Sequence, residues 1–340
     1  MKILITGAGG FLGGRLARSL LSYGQHDLRL HYRRKADSDD LSTLVAQYPE
    51  WQLEVVTANL LRPPELKALV SGVDLIIHAA AGTRGAVADM FLNSVVGTRN
   101  LLDATAGAGC RRIALVSSFA MYCTANLASG AIHDEQCGLE ASGIDKGAYA
   151  FTKIQQEMLF CEYQRRFGFE YVILRPGVIY GPGGGAFSPR VGLKIGSTFL
   201  ELGGRCLLPL SYVDNCADAI VFAALHAPSG ASFSVVDGDL PTCSQYLARY
   251  KQQVAPLTSI RVPRWAFLAG VHLVARYNRR SQGQLPANFN SYILRSMYRR
   301  LQYSNQALKN LGWTQRVETD EAIGRTFDYL RNATRRETAL

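Results

Sequence analysis

The chain lacks the features that would place it at once outside the ordinary globular class. No stretch approaches the roughly 20 consecutive apolar residues of a membrane-spanning helix, so no span is expected. Its seven cysteines (110, 123, 137, 161, 206, 216 and 243) include no Cys-x-x-Cys pair. That scatter fits neither a disulfide frame nor a zinc site, and reduced thiols in a cytoplasmic protein are expected instead. The first apolar run is only about four residues long and is broken by glycines, which does not make a signal peptide. There is no internal repeat and no low-complexity segment. Acidic charge is short: 37 Lys and Arg oppose 27 Asp and Glu, for a net charge of +10. The shortage lies in residues 241–340, where 16 basic side chains meet 5 acidic ones; the first 240 residues hold 21 and 22 and are near neutral. A basic C-terminal part suits an anionic substrate, an acidic partner or a membrane surface, and equally a solvated face. A nucleic-acid partner is not expected.

What is present starts at Met1–Arg15, MKILITGAGGFLGGR. Ile3, Leu4 and Ile5 fit a buried parallel strand, and a helical pattern runs over 11–23. Between them stands Gly7-x-x-Gly10-x-x-Gly13. Gly7 permits a tight turn, Gly10 a close backbone approach to a pyrophosphate, and Gly13 close packing of helix on strand. The pyrophosphate would lie at the helix N-terminus, where free N–H groups and the dipole favour an anion. A glycine-rich turn without a ligand is the plain alternative; the strand–turn–helix context favours a bound dinucleotide.

Strand-like and helix-like stretches then alternate. Strands are expected at 28–32, 53–57, 74–78, 112–117, 171–175 and 233–236, and helices at 64–70, 88–108, 148–167 and 214–227. The alternation predicts an α/β, doubly wound parallel-sheet Rossmann fold, with a smaller, mostly helical C-terminal substrate lobe. Residues 1–176 and 206–237 are assigned to the dinucleotide-binding domain, 177–205 and 238–330 to the lobe, and 331–340 to a flexible tail. After Asp237 the chain reads as helices and loops.

The second strand bears on cofactor choice. An acid near its end holds the ribose 2′-OH of NAD, whereas an Arg nearby accommodates the 2′-phosphate of NADP. Here Tyr32 stands in the acid's place and Arg33, Arg34 and Lys35 follow, which favours NADP(H) over NAD(H) with Arg33 as the contact. Asn59 and Leu60 are placed to border the adenine, and the small residues Ala79, Ala80 and Ala81 to let a cofactor lie against the backbone.

Tyr149 and Lys153 are four apart, on one face of a helix. An ammonium near a phenol lowers the phenol pKa from about 10 and lets it shuttle a proton near neutral pH. Residues 114–118 read as a strand that delivers Ser118 to the ligand edge of the sheet.

With these pieces, the chain resembles an extended short-chain dehydrogenase/reductase over nearly its whole length. Residues 6–13 match that family's cofactor loop, Asn93–Asn100 its Asn-x-x-x-Gly-Thr-x-Asn helix, and Val116–Tyr122 its serine segment. Tyr149 and Lys153 match its catalytic pair, and Leu174–Pro182, Tyr212–Asp214 and Ala307–Trp313 match three later signatures. The resemblance implies an enzyme in which Tyr149 is the general acid/base, Lys153 binds the nicotinamide ribose and tunes Tyr149, and Ser118 hydrogen-bonds the reacting oxygen. It places Gly7, Gly10, Phe11 and Leu12 on the phosphates and Pro176 at the cofactor, and it gives Asn93 an ordering role. It also implies a small-molecule substrate and a homodimer through 88–108 and 148–167. Departures narrow the reaction. Ser118-Phe119-Ala120 lacks the acid pair of the dehydratases; Pro176-Gly177-Val178 lacks the epimerases' Asn, and Leu207 stands where they carry an Arg. The usual Asp before Leu60 is Asn59. Hydride transfer between an alcohol and a ketone, as in the hydroxysteroid dehydrogenase and ketoreductase branch, is the expected activity; a nucleotide-sugar epimerase with retained cofactor is the alternative.

One motif stays unassigned. In 263–277, PRWAFLAGVHLVARY, Trp265, Leu268, Leu273 and Val274 recur at helical spacing, with Arg276, Arg279 and Arg280 beside them. Packing on the lobe is the first reading, the wall of an apolar pocket the second, and an interfacial helix on anionic lipid the third.

Overall fold

The computed structural model describes residues 1–24, 26–34, 52–83, 85–280 and 290–338. Lys35, in the cationic run after the second strand, lies outside them. β1 (Lys2–Thr6) pairs in parallel with β2 (Asp27–Tyr32) on one side and β4 (Leu75–His78) on the other. β3 (Leu53–Thr57) extends the sheet beyond β2; β5 (Arg112–Val116), β7 (Glu170–Pro176) and β12 (Ala231–Val235) extend it beyond β4. The sheet thus has seven parallel strands in the order β12-β7-β5-β4-β1-β2-β3. The chain leaves β1 in one direction and returns to its other side, which opens a crevice at the C-terminal ends of β1 and β4. Register brings Thr6 level with His31 and His78 at that edge.

Alternation along β1 sends Ile3 and Ile5 to one core and Leu4 to the other, all fully buried. α1 (Gly13–Leu21) and α6 (Val213–His226) cover the first face through Leu16, Leu20, Ala217 and Ile220. α2 (Pro63–Val70), α4 (Gly97–Ala108) and α5 (Ala148–Phe167) cover the second through Leu66, Leu101 and Phe160. Each such leucine or phenylalanine contributes about 1.5–3 kcal/mol by leaving water.

The helix expected over 88–108 is three pieces: α3 (Val87–Phe91), a π-helical turn (Leu92–Val96) and α4. The Ser94 hydroxyl accepts from the Gly82 amide at 2.9 Å, and its carbonyl accepts from Thr98 Oγ1 at 2.5 Å. The wider turn leaves Asn93 facing the crevice.

The lobe carries more strand than its sequence suggests. β8 (Val178–Tyr180) pairs with β11 (Leu210–Tyr212), and β9 (Gly192–Ile195), β10 (Thr198–Glu201) and β13 (Ser259–Arg261) form a three-stranded sheet. β6 (Ile132–His133) pairs with β14 (Gln302–Tyr303). The part after Asp237 is therefore not only helix and loop; strands of two or three residues are too short to show a period. Its helices are α7 (Cys243–Gln253), α8 (Arg264–Arg280), α9 (Ser291–Met297), α10 (Gln306–Leu311) and α11 (Thr319–Thr338). α11 runs on to Thr338, into the stretch expected as a tail at 331–340; no Gly or Pro follows Leu330, and the stripe Ala322, Ile323, Phe327 anchors the helix.

The C-terminal part also closes back on the first domain. Leu308 and Trp313 are buried in the core formed by α1 and α6. Asp218 of α6 accepts from Tyr23 Oη at 2.9 Å and from Trp313 Nε1 at 2.8 Å, and pairs with Arg316 at 2.7 Å. Among the described residues, no helix is long and apolar enough to cross a membrane.

Candidate active site

The glycine loop lies in the crevice. Gly7 has φ +74°, and a Cβ there would stand 3.0 Å from Ala80 Cα at the end of β4. At Gly13 a Cβ would meet Gly7 O at 2.1 Å, so only glycine lets α1 sit this close to the loop. The Phe11 and Leu12 amides, at the start of α1, have no acceptor among the described residues, and the first turn carries no acid. Both amides remain for an anion. His31, made less basic by burial, accepts from the Gly7 amide at Nδ1 (3.3 Å) and bonds Ala58 O through Nε2 (2.8 Å), which fixes the loop.

Around this loop is a cleft of about 1000 Å³. Gly7, Gly10, Phe11, Arg33, Asn59, Leu60, Ala79, Ala80 and Ala81 all line it. Leu12 caps the helix below, and Pro176 is buried at the end of β7, outside the lining. Asn59 closes its own turn, its Oδ1 accepting from the Leu61 amide at 3.0 Å. Among the described residues no Asp or Glu lines the cleft, while Arg15, Arg18, Arg33 and Arg34 do. Arg15 is paired with Asp214 at 3.2 Å, and Arg33 reaches across to Asn93 Oδ1 at 3.2 Å. A cradle that excludes Cβ atoms, open amides and a basic wall fit a dinucleotide.

Ser118 follows β5 and its Oγ accepts from the Ala120 amide at 3.2 Å; Tyr149 stands in the first turn of α5, near enough for the Ser118 side chain to act on its phenol. Tyr149 is 39% exposed. Its pKa is pushed up by desolvation, and the neighbouring Ser118 side chain opposes this. This reverses the expectation from spacing, and the reason is where Lys153 points. Lys153 is 3% exposed and donates inward, to Val116 O at 2.7 Å and Gln156 Oε1 at 2.5 Å. Burial lowers its pKa to about 8, so it is still mostly charged at pH 7.

Behind Lys153 runs a closed chain of hydrogen bonds. Gln156 Nε2 donates to Thr98 Oγ1 at 2.7 Å; Thr98 Oγ1 lies 2.8 Å from His78 Nε2; Thr6 Oγ1 lies 2.7 Å from His78 Nδ1. Thr98 gives its own proton to Ser94 O, so the network places the His78 proton on Nε2 and makes Nδ1 the acceptor from Thr6. Burial and the Lys153 charge hold His78 neutral, its pKa pushed down to about 3. One turn on, Glu157 pairs with Arg175 at 2.6 Å and accepts from Ser117 Oγ. His31, His78 and Gln156 are the site residues that sequence reasoning missed. The available signal was a histidine at or next to the end of two otherwise apolar strands.

A second cavity, about 670 Å³, lies in the lobe between β10, β13, α8 and α9. Leu202, Val262, Phe267, Leu268 and Leu294 give it an apolar wall, and Arg205, Arg261, Arg299 and Arg300 line it too. The Arg299 Nε is buried without a partner.

The sequence profile of the NAD dependent epimerase/dehydratase family matches residues 3–236. Cinnamoyl-CoA reductase 1 of Oryza sativa subsp. japonica is 31% identical over 183 residues, 53% of this chain and 54% of that protein. The chain thus spans about half the length of the cinnamoyl-CoA reductases it matches. The 2-alkyl-3-oxoalkanoate reductase of Stenotrophomonas maltophilia is 31% identical over 245 residues, 68% of each chain. In three dimensions the fold is similar to UDP-glucose 4-epimerase of Thermus thermophilus, solved in complex with NAD (TM-score 0.69, 19% identity, 98% of this chain and 100% of that one).

Proposed function

The chain belongs to the NAD dependent epimerase/dehydratase family and is an enzyme, and we propose that it reduces a ketone to a secondary alcohol with NADPH. The observation that carries this reading is the Ser118–Tyr149 pair at the end of β5. Elimination of water needs a further acid or base there, but Phe119 and Ala120 follow Ser118, and the carboxylate of Glu157 is locked to Arg175. A tyrosine phenol is protonated at neutral pH, the form that gives a proton to a carbonyl oxygen.

NADPH, when bound, supplies the hydride. The Phe11 and Leu12 amides and the α1 dipole hold the pyrophosphate. Arg33, on leaving Asn93, meets the 2′-phosphate. Ser118 orients the substrate oxygen, and Tyr149 passes its proton to that oxygen. Lys153, one helical turn from Tyr149, would have to turn its ammonium from Gln156 toward the phenol to favour the phenolate left behind. The substrate is a small molecule whose distal part occupies the second cavity, with an apolar body on Leu202 and Phe267 and an anionic group toward the arginines. The same reading includes a homodimer through α3, α4 and α5, where Val87, Leu92 and Met158 are exposed, and a cytoplasmic location.

The test is net cofactor use. A panel of ketones should oxidise NADPH stoichiometrically. Interconversion of sugar nucleotides with no net cofactor consumption would replace this reading by the epimerase.

A further inference from the structure

The sequence pattern of α8 allowed a packing helix, a pocket wall or an interfacial helix, and the fold gives it two sides. Val271 is buried, and Phe267 and Leu268 face the second cavity. At 100° per residue these occupy one arc. Trp265, Leu273 and Tyr277 occupy the opposite arc and are 74%, 68% and 60% exposed. The side chains of Val274 and Arg279 lie outside the described residues. Arg276 and Arg280 stand on the same outer arc, interleaved with the exposed apolar residues, and neither has an acidic partner among the described residues. The surrounding chain has the same bias: residues 240–317 contain no Asp or Glu and 12 Lys or Arg.

We propose that the outer face of α8 docks on an anionic membrane surface. Trp and Tyr suit the wet–apolar boundary, Leu273 inserts, and the arginines extend to phosphate groups. A helix of 17 residues without a spanning run lies in the interface rather than across it. Charge decides against a second copy as the occupant. A two-fold contact would bring the same face against itself, and α8 carries no acid to pair with Arg276 and Arg280.

The test is sedimentation of the full chain with vesicles of phosphatidylcholine alone or of phosphatidylcholine with phosphatidylserine, at low and physiological salt. Binding to the acidic vesicles, weakened by salt, is expected. R276Q/R280Q should weaken it by about 25-fold, about fivefold per arginine. W265S/L273S/Y277S should remove it at either salt. All five positions are exposed, and an unchanged thermal midpoint verifies the fold. Protein left in the supernatant with acidic vesicles at low salt overturns the proposal. So does binding that survives W265S/L273S/Y277S, which would be adsorption by net charge, and so does self-association abolished by those three changes without vesicle binding.

Discussion

Replacing Gln156 by Met tests whether Lys153 is set by the residue behind it. The change nearly keeps the volume and removes the polar contacts of the side chain, to Lys153, Thr98, His78 and Ala80 O. Lys153 loses its 2.5 Å acceptor and keeps only Val116 O; Thr98 loses a 2.7 Å donor and keeps its bonds to His78 and Ser94. A hydrogen bond to a charged group contributes about 1.5–3 kcal/mol, and at 1% exposure no water replaces it. If the ammonium stays charged, the fold loses about that much. If it gives up its proton, the loss becomes a pKa shift of about 1–2 units, at about 1.4 kcal/mol per unit. The sign is downward, since the lost acceptor favoured the charged form. Lys153, already lowered to about 8, would then titrate near neutrality. The assay is kcat/KM against pH, with denaturant unfolding at pH 7 and pH 9. The alkaline limb should move toward acid by about 1–2 units, and the stability deficit should be smaller at pH 9. Gln156→Glu keeps an acceptor and adds a negative charge, so its limb should move the other way. A Met variant with an unmoved limb and wild-type stability would refute the dependence of Lys153 on Gln156.

Tyr149→Phe removes the proton donor and should lower turnover by about 10²–10⁴-fold; NADPH affinity, by fluorescence titration, should hardly change. Arg33→Ala should weaken NADPH by about 10- to 100-fold, a charge-assisted contact, and leave NADH unaffected; equal losses would remove the 2′-phosphate role. Stability should fall in acid. His78 and His133 are buried and neutral, with pKa values pushed down to about 3 from 6.5, so below pH 6.5 the unfolded chain binds two protons that the fold does not. Asp237, raised to about 6 from 3.8 by burial, works the other way between those values. Denaturation midpoints should therefore fall gently from pH 6.5 to about 4 and steeply below it; a midpoint that rises on acidification would contradict these assignments.

The parts of the site that are legible in the sequence are local. The glycine loop is set by its own sterics: Gly7 needs a positive φ and Gly13 leaves no room for a Cβ. Ser118 and Tyr149 could be placed because each stands at the start or end of one element. The partners of Lys153 could not. Gln156, Thr98, His78 and Thr6 come from α5, α4, β4 and β1, and only strand register and helix docking bring them into one chain of bonds. The direction of the Tyr149 shift was missed for the same reason: spacing along a helix says nothing of an acceptor on β5 that turns the lysine inward. On α8 the period was readable, but which arc is covered depends on α9 and the lobe sheet, distant in sequence.

Asp218 gathers Tyr23, Trp313 and Arg316, and Leu308 and Trp313 fill the core beneath α1 and α6. This has a temporal meaning for a chain made from its N-terminus. When α6 has been synthesised, its carboxylate and the apolar surface beside it still wait for a tryptophan 95 residues further on. At about 5–20 residues per second that interval lasts roughly 5–20 s, during which the nucleotide-binding half has its sheet but not its closed core. A fragment ending before Trp313 would keep that gap for good. The core beneath α1 and α6 is thus completed only when Leu308 and Trp313, far along the chain, have been made.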